Sequence, residues 1–314
     1  MRDLRIVFMG TPDFAVATLD ALVKAKYNIV GVVTAPDKPA GRGRKISQSA
    51  VKKYAEEHKL NLLQPTNLKN EDFLKELKNL DANLQIVVAF RMLPKVVWQM
   101  PTYGTFNLHA SLLPNYRGAA PINWAIINGE KVTGVTTFFI NENIDTGNII
   151  LQKEVNISEN ETVGELHNTL MQIGSKLVLE TVLLIKNNTV NTTKQPKVTP
   201  KLAPKIFTET CKIDWNKSKT KIYNLIRGLN PYPAAWTFLF NNEEKIKVKI
   251  YDVELRNEKH PLNIGSIKID NKSILVAVEN GFLKINTLQL AGKRKMDAKS
   301  LLNGFQFSKD AYVQ

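Results

Sequence analysis

The sequence predicts an α/β domain with a Rossmann-like, mostly parallel sheet, followed by a small β-barrel domain. In the first half, short apolar runs alternate with helical segments. Beyond residue 205, short β-prone runs are separated by Gly, Asn and Asp. The 314 residues suffice for two domains that each bury a core. We therefore predict domains at residues 1–188 and 205–314, joined by a linker at 189–204 that is rich in Asn, Thr and Pro.

The predicted elements of the first domain follow one another in β-α order. Residues 4–9 form an apolar strand, and residues 12–25 form a helix with Thr11 as its N-cap. Further strands are predicted at 29–34, 62–64, 84–89, 135–140 and 149–155, and further helices at 49–59, 72–80, 121–128 and 162–186. This alternation predicts a mostly parallel sheet with helices on both faces. The first turn contains only Gly10, whereas a dinucleotide fingerprint needs three glycines, so we expect no NAD.

The second domain is predicted to contain strands at 247–252, 266–269, 274–278 and 283–290. It also carries most of the positive charge. The chain has a net charge of +14, and residues 189–314 contain 22 Lys and Arg against 11 Asp and Glu. Residues 1–188 contain 21 against 18. This asymmetry favours a surface for nucleic acid over charge that serves solubility alone.

Composition excludes several classes of site. Cys211 is the only cysteine, so the chain can form no intramolecular disulfide and no cysteine-based metal site. No histidine has a second ligand at metal spacing, and we expect no metal. No apolar run has the length of a membrane span or of a signal peptide core. We therefore expect a cytoplasmic protein with no membrane partner.

Three polar residues form the candidate catalytic group. In the segment Thr105 to His109, Asn107 and His109 share one face of a predicted strand. Asp145 follows the next apolar run on a loop that ends in glycine. An imidazole that is held by a carboxylate beside an amide donor can stabilise a developing oxyanion. The alternative is structural, since a histidine in a strand is usually a hydrogen-bonded residue and asparagine often caps a bend. The spacing alone leaves both interpretations open.

Several motifs around these residues resemble the folate-dependent formyltransferases. The similarity covers nearly the whole chain and is closest to the members that act on aminoacylated tRNA. The motifs are Phe8-Met9-Gly10-Thr11-Pro12-Asp13-Phe14, Pro36 to Arg44, Phe106-Asn107-Leu108-His109-Ala110-Ser111-Leu112-Leu113-Pro114, Tyr116 to Ile122, Asp145-Thr146-Gly147, Lys212 to Trp215, Asn230-Pro231-Tyr232-Pro233 and Leu290 to Lys293. The resemblance implies that 10-formyltetrahydrofolate donates a formyl group to the α-amine of methionyl-tRNA, with aminoacylated initiator tRNA as the partner of a monomeric enzyme.

The same resemblance implies a role for each group of residues and an OB-fold for the second domain. Asn107, His109 and Asp145 would be catalytic, with Asp145 orienting His109 and favouring its cationic form. The folate would contact Ser111, Leu112, Leu113 and Pro114. The tRNA would contact Lys38, Arg42, Arg44, Lys45, Lys293, Arg294 and Lys295. The segment Phe90 to Met92 departs from the family pattern, because it is one residue shorter where other members line the folate pocket.

Other functions use some of the same residues. A formyltransferase for a small amine, such as a sugar nucleotide or a purine precursor, would keep Asn107, His109 and Asp145 but would have little use for a basic second domain. A formyl-folate hydrolase would release formate without an acceptor. A non-catalytic RNA-binding module would explain the second domain but would leave the polar strand face without a purpose.

Overall fold

The structure is a computed structural model that describes residues 1–40, 45–197 and 200–314. Arg42 and Arg44, two of the predicted tRNA contacts, lie outside these residues, and for Lys45 only the backbone is described. The elements up to the long helix are β1 (Arg5–Gly10), α1 (Asp13–Lys24), β2 (Asn28–Val33), β3 (Lys38–Ala40), β4 (Lys45–Ser47), α2 (Ala50–Glu57), β5 (Leu62–Leu63), α3 (Glu71–Asn79), β6 (Leu84–Val88), α4 (Lys95–Trp98), β7 (Thr105–His109), β8 (Arg117–Gly118), α5 (Pro121–Ile127), β9 (Val132–Phe139), β10 (Ile149–Asn156) and α6 (Val163–Asn187).

The remaining elements are β11 (Leu202–Ala203), α7 (Lys219–Gly228), β12 (Ala235–Asn241), β13 (Glu244–Arg256), β14 (Ile267–Asp270), β15 (Ser273–Val278), β16 (Gly281–Leu290), β17 (Met296–Asp297), α8 (Ala298–Leu302) and β18 (Tyr312–Val313). A short 3-10 helix spans Glu209–Cys211. Within the described part of the chain, no helix is both long enough and apolar enough to cross a membrane.

A seven-stranded sheet forms the centre of the first half and has the order β10-β9-β7-β6-β1-β2-β5. The five strands from β7 to β5 are parallel, whereas β9 pairs antiparallel with β7, and β10 pairs antiparallel with β9 at the edge of the sheet. The prediction of a mostly parallel, Rossmann-like sheet is therefore confirmed. One detail was wrong: helix α1 begins at Asp13 after Pro12, and Thr11 does not cap it.

Apolar side chains hold helices on the two faces of this sheet. On one face, Val7 and Met9 of β1 pack with Phe73 and Leu77 of α3 and with Val97 of α4. Each such buried side chain contributes about 1.5–3 kcal/mol to stability. At the β7 edge, helix α6 approaches Leu108 so closely that a Cβ on Gly174 would lie 2.9 Å from it. Since Leu108 alternates with Asn107 and His109, these two polar side chains are left on the other face of β7.

The C-terminal half forms a curled antiparallel sheet with the order β14-β15-β16-β13-β12-β18. Its two edges meet, because Ser266 and Tyr312 form an antiparallel bridge and the Val313 N–H donates to the Gly265 carbonyl at 2.9 Å. Residues such as Ile250 and Val276 fill the interior together with Ile222 of helix α7. The predicted barrel-like domain is confirmed, although α7 and β12 were not anticipated.

The chain divides into two compact units, and each unit is built from several segments of the sequence. The first comprises Met1–Gly118, Val132–Asn156 and His167–Leu202, and the second Ala119–Lys131, Ile157–Leu166 and Ala203–Gln314. Much of the segment predicted as a linker therefore belongs to the first unit. Backbone pairing explains this, since Thr193 and Ile149 exchange two hydrogen bonds of 2.8 Å.

Candidate active site

Strand β7 positions the amide and the imidazole of the candidate site. Phe106 and Leu108 are buried in the core, which turns Asn107 and His109 towards the opposite face at the carboxyl end of the strand. Ligands of parallel sheets bind beyond this end of the strands. His109 is itself buried, with 6% of its surface exposed, so its ring nitrogens must find partners within the protein or in a ligand.

Both ring nitrogens of His109 face protein groups. Nε2 lies 2.8 Å from the carbonyl oxygen of Tyr116. Because a carbonyl oxygen only accepts, Nε2 carries the proton in this contact. Nδ1 lies 3.8 Å from Oδ2 of Asp145, which is an ion-pair distance but longer than a hydrogen bond. The structure thus brings the predicted carboxylate to the predicted imidazole, from 36 positions along the chain.

A tight loop fixes the carboxylate of Asp145. Its Oδ2 accepts the Gly118 N–H at 2.9 Å, and Asp145 itself has a left-handed backbone with φ of 53°. A Cβ on Gly147 would lie 1.6 Å from the Phe139 carbonyl oxygen, so only glycine fits there. The glycine of the Asp145-Thr146-Gly147 sequence therefore has a steric reason.

Asn107 carries a buried oxygen that lacks a partner. Its Oδ1 is inaccessible to solvent and accepts no hydrogen bond from any residue that the structure describes. Such an acceptor costs about 1–3 kcal/mol of stability. A ligand with an N–H group can satisfy this oxygen, and the Asn107 amide nitrogen is a donor for a ligand oxygen.

The turn after β7 is held by its own polar groups. The Ser111 hydroxyl donates to the Asn115 carbonyl at 2.7 Å, and the Leu113 carbonyl accepts from Gln152 at 2.9 Å. Ser111 and Leu113 are buried, whereas Leu112 and Pro114 are partly exposed. Folate contact by these four residues stays a prediction. The Ser111 hydroxyl also stabilises the turn through its hydrogen bond to the Asn115 carbonyl.

Four of the predicted tRNA-contacting residues have side chains that the structure describes, and all four are exposed to solvent. Lys38 is exposed in the first unit, and Lys293, Arg294 and Lys295 are exposed between β16 and β17 in the second. Asp37, next to Lys38, accepts from the Lys52 ammonium at 2.6 Å and from Gln64 at 2.9 Å. The hydrogen bond from Lys52 lowers the pKa of the Asp37 carboxyl, and the one from Gln64 lowers it further.

The barrel-like sheet carries a second group of cations that was not predicted from the sequence. The Lys247 ammonium lies 3.9 Å from the ring centre of Trp236, and that of Lys245 lies 4.1 Å from the ring centre of Phe238. The sequence does contain a pattern that indicates this group, since every second residue of β12 is aromatic from Trp236 to Phe240, and every second residue of β13 is a lysine from Lys245 to Lys249. The rings place the ammonium groups in a row on one side of the strand pair.

The other histidines have structural contacts. His260 Nε2 lies within 3.0 Å of the Val278 and Gly281 carbonyl oxygens, and His58 stacks on Tyr54. Within residues 1–40, 45–197 and 200–314, no three His, Cys, Asp or Glu side chains are grouped as metal ligands.

Known proteins resemble this chain along its whole length. The family described as "Formyl transferase" matches residues 4–182, and "Formyl transferase, C-terminal domain" matches residues 205–306. Methionyl-tRNA formyltransferase of Flavobacterium johnsoniae is 58% identical over 314 residues, with 100% of both chains covered. The enzyme of the same name from Bacteroides thetaiotaomicron is 55% identical, with 99% of this chain and 98% of its own covered.

A solved structure shares the fold at low sequence identity. The N-formyltransferase from Helicobacter canadensis, in complex with folinic acid and dTDP-3-aminofucose, matches with a TM-score of 0.65 and 21% identity, covering 93% of this chain and 100% of its own. At that identity the likeness shows the fold alone. The two family matches and the full-length relatives show that this chain belongs to the formyl transferase family, in the group whose members are named methionyl-tRNA formyltransferase.

Proposed function

We propose that this protein transfers the formyl group of 10-formyltetrahydrofolate to the α-amine of methionyl-tRNA. The observation that carries the proposal is the group of Asn107, His109 and Asp145 at the carboxyl end of β7, in a chain with 58% identity to a methionyl-tRNA formyltransferase over its full length. Initiator tRNA as the partner, a monomeric enzyme and a cytoplasmic location, where charged tRNA is used, belong to the same proposal.

In this reaction the amine nitrogen attacks the formyl carbon, a new C–N bond forms, and the bond from the formyl carbon to the folate nitrogen breaks. Negative charge develops on the formyl oxygen, and the amine loses one proton, which water or the leaving nitrogen accepts. The protein therefore has to orient two substrates and stabilise one oxyanion. No nicotinamide cofactor is proposed, because the first turn has one glycine. The bonds and the proton balance without a metal ion, and none is proposed.

Asn107 is assigned the hydrogen-bond donor to the formyl oxygen. Its amide nitrogen donates to the oxyanion, while its buried Oδ1 accepts an N–H of the attacking amine. One side chain would thus hold both reacting groups. This assignment gives a purpose to an acceptor that otherwise only destabilises the fold.

His109 and Asp145 are assigned the electrostatic part of the mechanism. Protonated His109 would place a positive charge near the oxyanion, and Asp145 at 3.8 Å would stabilise that cation. Direct donation from the ring would require a nitrogen to exchange its protein partner for the substrate, since Nε2 bonds to the Tyr116 carbonyl. Ser111 to Pro114 are proposed to contact the folate beside this group.

Basic residues of both units are proposed to contact the tRNA, each within its own unit. In the first unit these are Lys38, Arg42, Arg44 and Lys45. In the second they are Lys293, Arg294 and Lys295, and we add the lysines above Trp236 and Phe238 on β12. Formylation of a small amine is the competing function, because the H. canadensis protein of the same fold was solved with an amino sugar nucleotide.

Formylation assays with charged initiator tRNA and with an amino sugar nucleotide distinguish these functions. We expect rapid formylation of the tRNA, with binding that weakens log-linearly as salt rises. Serine at Lys293, Arg294 and Lys295 should lower that slope by about one for each phosphate that the variant no longer neutralises. The matched control carries serine at the exposed Lys69, Lys75 and Lys78 and should keep the wild-type slope. Faster turnover of the sugar nucleotide would overturn the proposed tRNA substrate. A slope that is the same in both variants would overturn the proposed role of the basic surface.

A further inference from the structure

A glutamine in the predicted linker lies at the candidate active site. Gln195 has 7% of its surface exposed, although its neighbours in sequence are rich in Asn, Thr and Pro. The backbone pairing of Thr193 with Ile149 brings it there, with two hydrogen bonds of 2.8 Å. Ile149 is the first residue of β10, directly after the loop that carries Asp145.

The Gln195 amide uses both of its ends. Its Nε2 donates to the carbonyl oxygens of Asp145 and Gly147, each at 2.9 Å. Its Oε1 accepts from Nη2 of Arg117 at 2.6 Å, a charge-assisted hydrogen bond. Since the amide NH2 has two hydrogens, both donors are consumed by the loop that presents the Asp145 carboxylate.

These contacts close a ring around the carboxylate. Arg117 is followed by Gly118, whose N–H donates to Oδ2 of Asp145 at 2.9 Å. Gln195 thus connects the backbone carbonyl of Asp145 to Arg117, and the next residue, Gly118, binds the Asp145 carboxylate. The left-handed conformation of Asp145 costs about 1–2 kcal/mol for a residue with a side chain, so it needs such support.

We infer that Gln195 is a positioning residue for formyl transfer, which holds Asp145 at the distance from His109 that the reaction requires. The inference rests on the proposed function, because it assigns Gln195 a role in the same step. The Gln195 amide hydrogen-bonds to Arg117 and to the backbone of the Asp145 loop, so it acts through Asp145. A displacement of about 1 Å at a reacting group can cost about 100-fold in rate.

Two single substitutions at Gln195 test this role. Gln195→Met keeps the length and removes every hydrogen bond, whereas Gln195→Glu keeps the acceptor for Arg117 but lacks the two N–H donors. For both we expect kcat to fall by about 10-fold to 100-fold, with KM for folate and tRNA unchanged within about threefold. The matched control is Asn83→Ala, which removes an amide that bonds Asp3 and Arg5 at the amino ends of the strands. It should lower the melting temperature and keep kcat.

A double-mutant cycle with Asp145→Ala separates positioning from general stability. If Gln195 acts through Asp145, Gln195→Met should have no further effect on kcat in the Asp145→Ala background. If the two substitutions lower kcat independently, so that the losses in the double mutant multiply, the inference is overturned. A wild-type kcat in Gln195→Glu would overturn it as well. Gln195→Glu is also the variant to use if Gln195→Met does not fold. If wild-type protein formylates no methionyl-tRNA, the proposed function itself fails. If the wild-type protein formylates methionyl-tRNA but the two losses in kcat multiply, only the role of Gln195 is refuted.

Discussion

Replacing Asn107 with alanine should separate activity from stability. The proposed mechanism uses the Asn107 amide nitrogen to stabilise the oxyanion, and the loss of one oxyanion donor typically lowers kcat by about 10²–10³-fold. Most buried polar groups also support the fold, so their removal lowers both quantities. Asn107 should differ because its Oδ1 has no hydrogen-bond partner in the described part of the chain.

The expected change in stability follows from two opposing terms. Removing the unpaired Oδ1 relieves about 1–3 kcal/mol of desolvation. The cavity left by three side-chain atoms costs on the order of 1–2 kcal/mol. The free energy of unfolding of Asn107→Ala should therefore lie between about 1 kcal/mol below and about 2 kcal/mol above that of wild type, which corresponds to a change of about 8 °C or less in melting temperature.

Initial rates of tRNA formylation, together with denaturant unfolding, measure both quantities on the same preparations. Asn107→Asp is the matched comparison, because it keeps the size but places a carboxylate on the strand face that carries His109. It should lose both activity and stability. A near-wild-type kcat in Asn107→Ala would remove Asn107 from the mechanism. A loss of several kcal/mol in stability would show that the amide is a structural residue.

Two other positions give predictions of a different kind. Gly147→Ala should lower both the free energy of unfolding and kcat, because a Cβ would lie 1.6 Å from the Phe139 carbonyl oxygen and such overpacking costs about 1–3 kcal/mol. Gly304→Ala, with no atom within 4 Å of its Cβ, is the control that should leave both unchanged in urea unfolding and rate assays. The hydrogen bond from Lys52 lowers the pKa of the Asp37 carboxyl in the folded state. The ionised carboxyl therefore stabilises the fold at pH values above its ordinary pKa of 3.8, and this stabilisation is lost as the pH falls through the lowered pKa. Unfolding titrations of wild type and Asp37→Asn should therefore differ by a constant amount from about pH 5 to 9 and converge in acid; a difference that grows in acid would contradict this.

The fold was largely predictable because its first half follows local rules. The alternation of short apolar runs with helical segments identified the strands of the parallel sheet. The long helix was predicted from residue 162, and the structure shows a capping box there, because the Thr162 N–H donates to Glu165 and the Glu165 N–H donates to the Thr162 hydroxyl. The direction of β9 and β10 was not predictable from such patterns, since antiparallel pairing at an edge leaves no periodic trace. The same holds for residues 119–131 and 157–166, which join the second unit through long-range contacts such as Arg227 with the Glu161 carbonyl.

The candidate site was predictable to the extent that its residues carry unusual chemistry for their position. Asn107 and His109 stood out because polar residues on a core strand require partners. Asp145 stood out as a carboxylate on a glycine-terminated loop directly after the apolar run at residues 135–140. Gln195 carried no such signal, since a glutamine in a polar segment is ordinarily exposed. Its contacts reach 50 residues to Asp145 and 78 to Arg117, and only the folded chain brings these groups together.

The backbone around His109 combines unusual conformations with hydrogen bonds that hold its imidazole and the Asp145 carboxylate. Three residues there have positive φ: Tyr116 at 61°, Gly118 at 125° and Asp145 at 53°. Tyr116 offers its carbonyl to Nε2 of His109, Gly118 offers its N–H to Asp145, and Asp145 faces Nδ1. The two non-glycine residues cost about 1–2 kcal/mol each in this conformation, and hydrogen bonds to charged groups contribute about 1.5–3 kcal/mol each. These bonds offset the strain and hold the carboxylate and the imidazole in a defined arrangement, which is what oxyanion stabilisation requires.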